Sequence, residues 1–334
     1  MLALVTIGLI ATQATFSSAS FSQSKAESLS SQTYNVAAED RKVVNNFPVI
    51  GVLTQPLNDE QLTDPDNRYE KYSSYMRKSY VDYLEASGAR VVPLIYGSGN
   101  DDAELAKIDK LQGVFYCGGT AGQQTYKDFG KRIFDKVRDL NDKGVFLPIW
   151  GTCLGFQGIS SFAATNPKVL ESYDSQNDLY AMKFAVDPSQ TRMYRAMGND
   201  AYLFEQNKIQ FNFHKWGISP AKFQSDKGLK DFYTVTSTAF DNSQKEFVNS
   251  IEAKNYPFYG TQFHPEAPLV PNRNYQIDRS LFSTINNRYF GDFYVNQCRT
   301  SNNNMMSWEE FAQVAVENYT YITSADNSRV DVVF

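Results

Sequence analysis

The 334-residue chain is 42% apolar, 14% aromatic and 21% charged, enough apolar residue for a core and too much for a disordered or fibrous chain. Its net charge of −5, from 32 basic and 37 acidic side chains, offers no electrostatic footprint for nucleic acid. With three cysteines and two histidines, a histidine-rich zinc site and a disulfide-dense scaffold are excluded, and cysteine–histidine chemistry is confined to Cys117, Cys153 or Cys298 with His214 or His264.

Residues 2–11 form a weakly polar to apolar run, shorter than the about 18 residues that span a bilayer. The run fits the centre of a signal peptide over residues 1–19, with small residues suited to cleavage near Ala14 or Ala19, although no Lys or Arg precedes it. Residues 20–44, rich in Ser, Ala and Gln, read as a leader without fold. This address predicts a lysosomal, vacuolar or secreted protein with no stable membrane anchor. The sequon Asn318-Tyr319-Thr320 is compatible with it. An odd cysteine count leaves at least one thiol free or paired outside the chain.

No linker-like segment divides residues 45–334, so a single domain is expected. A buried strand is predicted over 49–53. Tyr72, Met76, Tyr80, Tyr83 and Leu84 recur at helical spacing and predict a helix stopped at Gly88. Strands over 91–95, 114–117 and 146–150 alternate with helices over 101–111, about 126–140 and 154–164. That alternation predicts a three-layer α/β/α sandwich on a mostly parallel sheet. Closely spaced strand patterns over 209–213, 233–238, 247–253 and 258–263 predict a mixed-sheet extension, closed by a helix over 278–296. A short helix is expected within 307–318 of the tail.

Gly151-Thr152-Cys153-Leu154-Gly155 lies between a predicted strand and a predicted helix, the context of a nucleophile elbow. A sharp turn of that kind needs glycine on both sides of the nucleophile. The helix amino terminus then favours an anion on sulfur, and the Leu154 N–H is placed to bind an oxyanion. The plain alternative is a small buried cysteine between packing glycines. His264 falls at a strand end with Glu266 two residues on, a pair able to fix one imidazole tautomer. Gly118-Gly119 follows another strand, where the Gly119 N–H can supply a second oxyanion donor, or where the pair makes an ordinary turn. His214 ends a further strand as a second site residue or a structural histidine.

Together these motifs resemble the class I glutamine amidotransferase-like superfamily, through the Gly-x-Cys-x-Gly elbow and the late His264-Pro265-Glu266. Within it the chain resembles the gamma-glutamyl hydrolase family over about residues 47–268. That likeness is carried by 48–56, by Ser79–Glu85 with Gly88–Pro93, by 150–156 and by Asn212-Phe213-His214-Lys215-Trp216. The resemblance implies a cysteine hydrolase, without cofactor or metal, that cleaves folylpoly-γ-glutamates and assembles as a homodimer. Cys153 would be the nucleophile, His264 the base and Glu266 its orienting partner. Gly119 and Leu154 would hold the oxyanion, and His214, Gln157 and Gly118 would contact substrate. Gln157 departs from the family, which tends to carry Glu there and which differs in this from glutaminase domains. A glutaminase subunit and an inactive binding protein are the alternatives. A polyanionic substrate also calls for cations near the cleft, with Lys215 and Arg192 as candidates.

Overall fold

Val49–Leu53 is buried at every position, as a strand covered on both faces requires. It is β1 of a computed structural model that describes residues 42–270 and 275–334. The expected signal peptide over residues 1–19 and residues 20–41 of the expected leader lie outside the described residues. In chain order follow β2 (Gln55–Pro56), β3 (Ser74–Arg77), α1 (Lys78–Ala86), β4 (Arg90–Leu94), α2 (Asp101–Lys107) and β5 (Gly113–Tyr116). Next come α3 (Gln124–Asp142), β6 (Ile149–Thr152), α4 (Leu154–Ala163), β7 (Glu171–Tyr180), β8 (Lys183–Phe184) and β9 (Gln210–Gly217). The chain ends with β10 (Tyr233–Phe240), β11 (Glu246–Ala253), β12 (Phe258–Thr261), α5 (Leu281–Arg299), α6 (Trp308–Val314), β13 (Thr320–Thr323) and β14 (Val330–Val333).

The main sheet runs β4-β1-β5-β6-β12-β11-β10-β8. Its first five strands are parallel, and the remaining three continue it antiparallel. Side-chain alternation builds the layers. Val114, Tyr116 and Ile149 join one core with Phe129, Ile133 and Phe134 of α3 and Phe156 and Ile159 of α4. Phe115 and Trp150, one residue out of phase, meet Tyr294 of α5, and Phe115 also meets Tyr80 of α1. Helices therefore cover both faces, and the mixed extension stands in the second half.

Two expectations need correction. The helical periodicity from Tyr72 is real only from Lys78, because Ser74–Arg77 is a strand. It pairs with β14, and the backbone of Phe334 bonds Ser73 and Ser74. This builds a second, antiparallel sheet, β13-β14-β3-β2, from opposite ends of the described chain. The strand expected over 146–150 starts at Ile149, since Pro148 cannot donate to a ladder. The short helix expected in the tail is α6, which opens with a capping box between Ser307 and Glu310, and β13 and β14 follow it without having been foreseen. β7 had no apolar run to announce it, and it pairs with β9 as a separate ribbon.

Candidate active site

Three neighbouring parallel strands deliver the chemistry. β5 ends into Gly118-Gly119, β6 into Cys153, and β12 leads to His264, so the groups collect at the carboxyl ends of the sheet. Cys153 has φ 52° and ψ −106° and stands directly before α4. Side chains rarely accept that backbone, and such strain concentrates at functional sites. The flanking glycines are required for space. A Cβ on Gly155 would lie 2.0 Å from the Tyr116 carbonyl oxygen, and one on Gly151 would lie 2.7 Å from the Gly155 backbone.

The Cys153 thiol is buried and lies 3.8 Å from the Phe213 carbonyl oxygen. His264 Nδ1 is 2.8 Å from Glu266 Oε1, which leaves Nε2 for the sulfur side. Burial opposes a charge on His264, but the Glu266 carboxylate and then the Cys153 sulfur outweigh it, and its pKa is raised to about 10. The Tyr80 hydroxyl lies 3.3 Å from the same Nδ1 and accepts the Gly118 N–H at 2.9 Å. Tyr80 thus ties the histidine to the glycine turn.

Neither Gly118 nor Gly119 has a positive φ, so the turn is not left-handed. Both glycines are needed for close approach. A Cβ on Gly118 would meet the Tyr80 hydroxyl at 2.3 Å and His264 Cε1 at 2.8 Å, and one on Gly119 would meet Gln55 Oε1 at 1.8 Å. Gln55 Nε2 donates to the Gly118 carbonyl at 2.8 Å. In a trans peptide the C=O and the following N–H point opposite ways, so this bond aims the Gly119 N–H away from Gln55. Leu154 is the first residue of α4, where helix geometry leaves the N–H unpaired. Gln55→Ala is expected to lower kcat by about 10-fold or more with little change in KM, a fraction of the loss for a whole oxyanion donor. Steady-state kinetics beside a thermal melt checks this, and an unchanged kcat refutes the role of Gln55.

The cleft beside Cys153 encloses about 390 Å³. Cys153, His264, Glu266, Gly118 and Gly119 line it, whereas His214 and Gln157, expected to contact substrate, do not. Gln157 sits one helical turn beyond Cys153 and donates to the Trp216 carbonyl at 2.7 Å. His214 Nδ1 lies 3.0 Å from that same carbonyl, with its ring against Phe247. Burial and the nearby His264 charge lower the His214 pKa to about 3, so this histidine stays neutral. Together Gln157 and His214 brace β9 behind the cleft. Of the cationic candidates, Lys215 is exposed on β9 outside the lining, and Arg192 is tied to the Tyr256 carbonyl at 3.0 Å. The cations that do line the cleft are Arg77, Lys78 and Arg329, from β3, α1 and the turn before β14. They escaped the sequence reading because the pairing of β3 with β14 is what brings them there. All three cysteines are free, and Cys117 and Cys298 are buried with their thiol pKa values pushed up by that burial.

An elbow cysteine facing a histidine–carboxylate pair across parallel strands is the arrangement of a class I glutamine amidotransferase. Residues 73–283 match the family model described as glutamine amidotransferase class-I. Gamma-glutamyl hydrolase B of Dictyostelium discoideum is 33% identical, with 87% of this chain and 83% of that protein covered. Gamma-glutamyl hydrolase 1 of Arabidopsis thaliana is 30% identical over 78% and 74%. The human gamma-glutamyl hydrolase is 28% identical over 84% and 87%. The chain belongs to the gamma-glutamyl hydrolase family.

Proposed function

We propose that this protein hydrolyses γ-glutamyl amide bonds, with folylpoly-γ-glutamates as its substrates, through an acyl-enzyme on Cys153. The observation that carries the reading is the strained, buried Cys153 opposite the His264–Glu266 pair, in a chain whose relatives bear the name of this reaction. The Cys153 sulfur attacks the γ-carbonyl carbon, and the thiol proton is held by His264 Nε2. The oxyanion is met by the Gly119 and Leu154 N–H groups. His264 then protonates the departing amine, takes a proton from water, and the hydroxide releases the glutamyl group from sulfur.

An aromatic wall favours a folate head. Tyr275 stacks on Phe211 at 5.7 Å and packs on Phe213 at 5.0 Å, and all three line the cleft. Such rings offer offset-stacking partners to a flat aromatic group. The glutaminase alternative rested on Gln157, which lies outside the cleft lining. A lysosomal, vacuolar or secreted location fits the reading, as does assembly as a homodimer. The test incubates purified protein with a folyl γ-linked oligoglutamate and an α-linked control. Glutamate or a shortened folate is expected from the γ-linked substrate alone, and equal cleavage of both overturns the proposal.

A further inference from the structure

The charges of the cleft are unevenly matched. Lys78 is ion-paired with Asp82, one helical turn on. Arg329 lies 2.6 Å from Glu60 Oε2 and 3.6 Å from Asp331 Oδ2. The Arg77 guanidinium makes no hydrogen bond or ion pair with any described residue, although Arg77 is only part-exposed. The carboxylate opposite it in the β3–β14 register is Asp331, which is already held by Gln61 Nε2 at 2.9 Å and the Tyr69 hydroxyl at 3.0 Å, besides Arg329.

A guanidinium is always charged, and its planar fork of donors fits a carboxylate in two bonds at once. Removing such a group from bulk water without a partner is unfavourable, and a bound anion relieves that cost. Arg77 is also well placed. It ends β3 and immediately precedes α1, whose Tyr80 holds the Gly118 N–H and approaches His264. One turn of chain thus carries both the support of the reacting groups and the open cation.

We infer that Arg77 is a specificity-determining residue that binds an α-carboxylate next to the scissile γ-amide bond, an assignment that rests on the γ-glutamyl reading above. A γ-linkage leaves the α-carboxylate of the acyl-side glutamate free, and the departing glutamate carries its own. An α-linked peptide spends that acyl-side carboxylate in its backbone, so Arg77 gives the cleft a means of telling the two linkages apart.

The experiment compares three γ-linked diglutamate conjugates: one with both α-carboxylates, one with the acyl-side group as carboxamide, and one with the leaving-side group as carboxamide. The wild-type protein is expected to lose about 10- to 100-fold in kcat/KM on one of the two amides, the worth of a hydrogen-bonded charge. That amide identifies which carboxylate is bound. Arg77→Ala should lose a similar factor on the dicarboxylate substrate and should no longer discriminate against that amide. Arg77→Lys, which keeps the charge, should recover part of the discrimination and serves if the alanine variant fails to fold. Discrimination that persists in the variants, or is absent from the wild type, overturns the role of Arg77 alone. A wild type that cleaves none of the three overturns the γ-glutamyl reading itself.

Discussion

Cys153→Ala is expected to abolish γ-glutamyl hydrolysis, by about 10⁴-fold or more, because no second cysteine among the described residues lines the cleft and the strained elbow presents the sulfur alone to the His264–Glu266 pair. Cys117 and Cys298 are buried thiols outside the lining and do not replace it. The same position makes a stability prediction of unusual sign. With φ 52° and ψ −106°, Cys153 occupies backbone that any Cβ resists. Cys153→Ala keeps the Cβ and therefore the strain, whereas Cys153→Gly releases it. The glycine variant should then be the more stable of the two inactive proteins by about 1 kcal/mol, the reverse of the usual glycine penalty near a helix. Denaturant melts of both variants measure the gap. Residual turnover in either would move the nucleophile elsewhere. A glycine variant less stable than the alanine one would mean that the elbow is held without strain.

What was legible in the sequence was whatever depends on neighbours along the chain. The β6–elbow–α4 unit announces itself because the turn demands glycine at Gly151 and Gly155, and His264 because Glu266 lies two residues away. Positions decided by pairing across the chain were hidden. Ser74–Arg77 shows helical spacing yet becomes a strand because β14, from the far end of the chain, supplies a partner. That override also hid Arg77 and Arg329, which only the assembled second sheet brings to the cleft. Gln55 looks like a strand-end polar residue until the 2.8 Å bond from its amide to the Gly118 carbonyl is seen. Conversely, Gln157 and His214 sit at the sequence spacing expected of substrate contacts. Gln157 Nε2 and His214 Nδ1 both face the Trp216 carbonyl, neither residue lines the cleft, and His214 Nε2 is buried without a partner among the described residues, an arrangement that motif adjacency alone does not reveal.

Glu266→Ala is expected to cut kcat/KM by about 10³-fold and to move the alkaline limb of the pH–rate profile to lower pH by about one unit or more. In the intact site, burial disfavours the imidazolium, and Glu266 and then Cys153 overcome it, which holds the pKa at about 10. Without Glu266 burial regains ground, and Nδ1 keeps only the Tyr80 hydroxyl at 3.3 Å. The proton that the leaving amine needs is then lost at lower pH. Folding stability should report the same coupling. His264 titrates near 6.5 when unfolded and at about 10 when folded. Its contribution is therefore complete below about pH 6.5 and disappears as pH rises towards 10. His214 works in the opposite direction. Its folded pKa of about 3 gives a contribution present above about pH 6.5 and lost as pH falls. Between them the two histidines place their stability maximum near pH ~6.5. Glu266→Ala should flatten the alkaline side of the denaturation-midpoint profile and leave the acid side sloping. An alkaline slope unchanged in that variant would assign it to other groups and dissolve the link between Glu266 and the charge on His264.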